Sequence, residues 1–93
     1  MTAAEMLALL KIDLGIRTTV YDSALEGYLT SAAEKIKAEG ASDLDASSSV
    51  VDARLVIDYA AFKWRSREAG GAMPRSLRWE LNNRIFGTKA RTV

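Results

Sequence analysis

The segment 50–68, VVDARLVIDYAAFKWRSRE, sets the tightest limit on what this chain can fold into. It reads as one helix, and its apolar residues do not keep to one side. Val51, Leu55, Tyr59 and Phe62 fill one flank, while Ala53, Val56, Ile57, Ala60 and Trp64 fill much of the other. Arg54, Asp58 and Arg65, interrupted by Ala61, leave only a narrow polar strip. A helix that is apolar over most of its circumference has to be buried. Two arrangements meet that need. Either this is the central helix of a compact bundle, or one of its sides is covered by another subunit. A serine at 48 or 49 supplies the N-cap and Asp52 an acid in the first turn. Arg65 and Arg67 suit the carbonyl end of the dipole, ahead of Gly70-Gly71. At 1.5 Å per residue the helix would be roughly 28 Å long.

Three further helices surround it in the sequence. Thr2-Ala-Ala-Glu5 has capping-box spacing and opens a short helix over about 3–10. Residues 11–21 read as a connector broken by Gly15, with Ile12, Leu14 and Ile16 to pin it down. Asp22 caps a second helix that ends at Gly40. Its Leu25, Tyr28, Leu29, Ala32 and Ile36 form one stripe, with Gly27, Ser31, Glu34 and Lys37 towards the other side. GASDLDASSS, 40–49, has no period and is rich in turn formers, so it is a loop. Pro74, as the first helical residue, opens a fourth helix that should stop near Gly87, leaving 88–93 as a mobile tail. Leu77, Leu81 and Ile85 share one stripe, whereas Trp79 and Phe86 point nearly opposite. Those aromatics either fold over onto the third helix or the tail, or anchor the chain in a partner, where tryptophan is enriched. The expected fold is all-α, a single domain over 1–93 of about four helices around a long apolar one.

Composition removes several function classes. With 93 residues the chain is one small domain, for which assembly is one route to further stability. It has no cysteine and no histidine, so it can form neither a disulfide framework nor a thiolate zinc site. Catalysis would then need a carboxylate pair, a lysine or an activated hydroxyl. Asp43, Asp45 and Asp52 lie in or beside the serine-rich loop, where a solvated cap-and-turn role suits them, and they lack calcium-loop spacing. Gly70-Gly71 is not followed by the lysine and hydroxyl of a phosphate loop. Asp58, with Arg54 one turn back and Arg65 two turns on, reads as part of an ion-pair stripe. No enzyme, cofactor or metal is expected. MTAAEML is too acidic for a signal peptide and no apolar run reaches membrane-spanning length, so the expectation is an intracellular, soluble protein without a membrane partner.

Charge is divided along the chain. Residues 1–58 carry five Lys and Arg against ten Asp and Glu; residues 59–93 carry eight against two. That asymmetry suits a nucleic-acid-binding half, or an acidic surface on one copy that meets a basic surface on the next. KWRSREAGGAMPRSLRW, 63–79, bears on the first option: a helix, a short turn and a helix, with Arg75, Ser76 and Arg78 where base edges would be touched. Its first helix is too long and too apolar for the compact motif, and its second has apolar residues on opposed sides, leaving no broad polar face for a groove. Backbone contact with nucleic acid stays open, because it needs only clustered cations. A small helix-turn-helix-like DNA-binding regulator is therefore the alternative reading.

Four blocks in order carry a resemblance: MLALLKIDLGI, DSALEGYLTSAAEKIKAEG, ARLVIDYAAFKWRSRE and GGAMPRSLRWELNNRI. Together they resemble the small helical head–tail connector proteins of tailed bacteriophages, also described as DNA-packaging or head-completion adaptors. Relatives often have a longer segment between the second and third helices than GASDLDASSS. The resemblance implies a structural virion protein with no cofactor and no reaction, in the host cytoplasm during assembly and then at the head–tail junction. It implies a homo-oligomeric ring that docks below the portal, extends the DNA channel and offers a platform to tail or head-completion proteins. Helices two and three would then supply the core and much of the subunit contact. Trp64, Arg65, Arg67, Arg75, Arg78, Trp79 and Phe86 would face the portal, a neighbouring subunit or DNA.

Overall fold

Each helix begins and ends where nearby side chains or a glycine satisfy its unpaired backbone groups. In a computed structural model that describes residues 1–92, there are four helices and, among those residues, no strand. The first, α1, spans Ala3–Leu14. The Glu5 N–H donates to Thr2 Oγ1 at 3.1 Å and the Thr2 N–H donates to Glu5 Oε1 at 2.9 Å, closing the capping box. The Thr2 backbone and hydroxyl hold the Glu5 carboxyl below its ordinary range. α1 runs a turn past the expected 3–10, because its stop lies at Gly15. That residue sits at φ 71 in the left-handed region, where its N–H meets the Ile12 carbonyl and the Ile16 N–H meets that of Lys11.

α2 spans Asp22–Glu39 and stops at Gly40, with φ 138. Asp22 is its first residue and pairs with Lys11 at 2.8 Å; the N-cap position belongs to Tyr21 instead. α3 spans Val50–Arg65, starting where Ser49 Oγ accepts the Asp52 N–H. It is about a turn shorter than expected. Its last carbonyls are taken by side chains, Ser66 Oγ donating to Lys63 and the Arg67 guanidinium to Trp64, and the chain turns off. α4 spans Arg75–Thr92. Pro74 precedes the first helical residue and accepts the Arg78 N–H. The helix does not stop at Gly87, and the expected mobile tail is helical as far as Thr92; Val93 lies outside the described residues. Thr88 explains the continuation, being buried and hydrogen-bonded to Asp43.

α3 packs against α1, α2 and α4, and α1 also packs on α2. Leu10 from α1, Leu25, Leu29 and Ile36 from α2, and Leu77 and Leu81 from α4 close around it. As a result Ala53, Leu55, Val56, Ile57, Tyr59, Ala60 and Ala61 are all buried within a single chain. Three neighbours do cover the body of this helix, because alanines on it let them approach closely. Its apolar residues protrude at the very start, with Val50 66% and Val51 75% exposed.

The 40–49 loop is more ordered than its composition implies. Ala41 and Leu44 are buried, and the Asp45 carboxylate accepts from the Ser47 N–H at 3.1 Å and the Ser48 hydroxyl at 2.7 Å. The Ser47 and Ser48 hydroxyls pull the Asp45 carboxyl down to about 2. No helix among the described residues is long and apolar enough to cross a membrane.

Two glycine substitutions test this packing by chemical denaturation. A Cβ on Gly40 would lie 2.8 Å from Ile85 Cγ2 in a backbone that L-residues rarely adopt. Gly40→Ala should therefore cost about 1–3 kcal/mol. A Cβ on Gly87 meets open space, so Gly87→Ala should stabilise by about 0.5–1 kcal/mol, as inside any helix. No gain at Gly87 would mean that α4 ends there in solution.

Candidate functional site

Leu77 and Leu81 seat α4 on the core, and the same 4–3–4 spacing continues through Arg84 to Thr88. The buried stripe of α4 therefore ends in polar residues, which meet α3 and the 40–49 loop. Arg84 Nε donates to Asp52 Oδ1 at 2.7 Å and one terminal nitrogen to Oδ2 at 3.2 Å, a two-pronged pair. Its other terminal nitrogen donates to Asp43 Oδ1 at 2.9 Å and to Thr88 Oγ1 at 2.8 Å, while the Thr88 hydroxyl donates to Asp43. The Asp45 N–H completes the shell of Asp52 at 3.0 Å.

The side chains of Arg84 and Asp52 are only 12% and 8% exposed. Burial pushes the Asp52 carboxyl up, but the Arg84 guanidinium and the Asp45 N–H outweigh it and hold it below its ordinary range. Hydrogen bonding to Asp52 pushes Arg84 further up in turn. Asp52 thus departs from the solvated cap-and-turn role read from its position, whereas Asp45 keeps that role. These bonds tie α3, α4 and the 40–49 loop together, so the cluster works as a clasp between them. No cluster of three or more acidic, His or Cys side chains among the described residues could hold a metal ion.

The residues expected at a partner surface separate into two places. Trp64 is half-buried, in T-shaped contact with the rings of Tyr21 and Tyr28 at 5.4 Å each, with the Arg67 guanidinium 3.8 Å over its face. Arg65 donates to the Asp13 carbonyl at 2.8 Å, while Arg54 pairs with the Asp13 and Asp58 carboxylates. The polar strip of α3 therefore grips the C-terminal end of α1. Burial raises the Asp58 carboxyl despite Arg54 beside it. On α4, Arg75 is exposed and Arg78 reaches Glu39 at 3.4 Å. Trp79 and Phe86, seven residues apart and so on one face, are 67% and 73% exposed. Neither folds back onto α3.

Trp79 joins Val50, Val51 and Leu55 in a groove of about 560 Å³, edged by Arg54, Asp58, Glu80 and Arg84. A second groove, of about 630 Å³, runs between α1 and α2 over Leu7, Leu29, Ala8 and Ala33, with Lys11 and Glu26 at its border. The outward turn of Val50 and Val51 escaped the sequence reading, since an apolar pair at a helix start has no marker of exposure. Arg84 did carry a signal, its place in the Leu77–Leu81 spacing. No protein-family model matches the chain, and neither curated proteins nor solved structures show a significant similarity to it.

Arg84→Met would leave Asp52 buried without its cation and should cost about 3–5 kcal/mol at pH 7. Since the folded pKa of Asp52 is depressed, its contribution is complete above the ordinary value of 3.8 and lost as pH falls through the folded value. The gap between wild type and Arg84→Met in urea titrations should therefore narrow as pH falls below about 4. A gap independent of pH would remove the ion pair as its cause.

Proposed function

We propose that this chain is a structural subunit of a tailed-bacteriophage head–tail connector. In this reading it assembles head to tail into a homo-oligomeric ring below the portal, extends the DNA channel, and offers a docking platform to tail or head-completion proteins. The observation that carries the assembly is the uncovered apolar groove of α3 and α4, lined by Trp79, together with Phe86 exposed on the same face of α4. At the area usual for such rings, those two aromatics alone present on the order of 200–300 Å². Two large exposed rings on one face mark a contact surface in a chain this small.

A ring needs two different surfaces on each subunit. Two candidates are present: the aromatic face of α4 beside the start of α3, and the α1–α2 groove. Both grooves carry charges of both signs, so it is the division of charge between the two halves of the chain that favours a second copy as the occupant. The body of α3 is already covered by its own chain, so the assembly surface lies on α4 and the first turn of α3. Trp64, Arg65 and Arg78 have partners within the chain; Trp79, Phe86 and Arg75 are the contacts assigned to a neighbour or the portal. The resemblance of the four ordered sequence blocks supplies the phage setting.

Native mass spectrometry over a concentration series, paired with electron microscopy of the chain mixed with its cognate portal, tests this reading. A ring, alone or on the portal, is expected. Trp79→Ala with Phe86→Ala should reduce assembly at least tenfold while circular dichroism stays unchanged, both side chains being exposed. A chain that stays monomeric at high concentration and ignores the portal would overturn the proposal. Sequence-dependent binding of duplex DNA in its place would favour the helix-turn-helix-like regulator.

A further inference from the structure

Lys11, Arg54, Arg78 and Arg84 each form an ion pair with a carboxylate. Lys35, Lys63 and Arg67 have no such pair among the described residues, and all three line one crevice between α2 and the end of α3. The period of α2 and the turn that follows α3 bring them there. Tyr28, Ser31 and Lys35 follow one another at i, i+3 and i+7 on α2, and Lys63, Ser66 and Arg67 at i, i+3 and i+4 across from them. The crevice measures about 300 Å³, and no carboxylate lines it.

Three cations held around one small concavity repel one another, and an anion with several acceptor oxygens relieves that repulsion. Arg67 is also set in advance. Its guanidinium lies over the Trp64 ring and one nitrogen is tied to the Trp64 carbonyl, which leaves its other donors for a ligand. Hydroxyls of Tyr28 and Ser31 stand on the facing wall as further donors. A single carboxylate would leave much of the positive charge unmet, whereas a phosphate offers more charge and more acceptor oxygens.

We infer that the crevice of Lys35, Lys63 and Arg67 is a binding site for a phosphate group. The site stands on its own geometry; that the phosphate belongs to DNA rests on the connector reading above. Backbone contact of this kind is blind to sequence and strongly salt-dependent.

Trp64 supplies the readout. In a Trp79→Phe chain it is the remaining tryptophan, and its contact with Arg67 makes its emission sensitive to the crevice. That chain is titrated with pyrophosphate and, separately, with a mixed-sequence duplex, with anisotropy of labelled duplex as a second measure. Saturable binding of either ligand is expected, weakened at least tenfold by Lys35→Gln with Lys63→Gln. For duplex, the slope of log affinity against log salt should fall by about one per cation removed. Binding of pyrophosphate alone would support the site and exclude DNA as the source of the phosphate. Absence of binding to both, or affinity untouched by the double substitution, would overturn the inference. Native mass spectrometry of the same double variant separates the two readings: retained assembly with lost phosphate binding confines the defect to the crevice.

Discussion

Burial of α3 is the constraint around which the other helices are arranged. From Ala53 to Ala61 nearly every side chain of that helix is inside, and only Arg54 and Asp58 reach outward. Fully burying one side chain the size of Ile57 stabilises by about 1.5–3 kcal/mol, so no arrangement that leaves a flank of α3 wet can compete. α1 and α2 cover two flanks, with Leu10, Leu25 and Ile36 completely enclosed. The alanines at 53, 60 and 61 set how close those neighbours come. Arg54 and Arg65, on the strip left over, hold the end of α1 and so fix its angle across the core.

α4 closes the last flank by different means. It contributes two buried leucines and the half-buried Ile85, and beside these its inner face turns polar at Arg84 and Thr88. The Arg84 clasp takes over there, drawing α4, the first turn of α3 and the 40–49 loop to one point. Breaking such a pair is costly because it strands a buried charge, which gives the clasp a directing role that a third leucine would not have. Holding α4 in that rotation has a consequence for the surface. With Leu77, Leu81, Arg84 and Thr88 turned in, Trp79 and Phe86 must turn out. The clasp and the proposed assembly face are two sides of one helix.

Much of this was legible residue by residue. The capping box at Thr2, the stop at Gly40, the Leu25–Ile36 stripe and the Ser49 cap all depend on neighbours within a turn or two, and each lies where local chemistry puts it. The misplaced boundaries had nonlocal causes. α4 runs past Gly87 because Thr88 meets Asp43, 45 positions away. The loop is ordered because Leu44 reaches the core and Asp52 accepts the Asp45 N–H. Trp64 is half-buried because Tyr21 and Tyr28 pack against it edge to face. Contacts of that span leave no periodic trace in the segment that makes them.

By itself, then, the sequence determined an all-helical chain, with one helix that had to be enclosed and a charge division between its halves. Periodicity and capping act over a few residues, and net charge needs no coordinates. Which apolar residues stay exposed was decided only in three dimensions. Val51 and Val56 are equally apolar in the sequence, yet one protrudes and the other is sealed. The difference lies in where α1, α2 and α4 have enough side chain to cover α3, and that is a property of the assembled core.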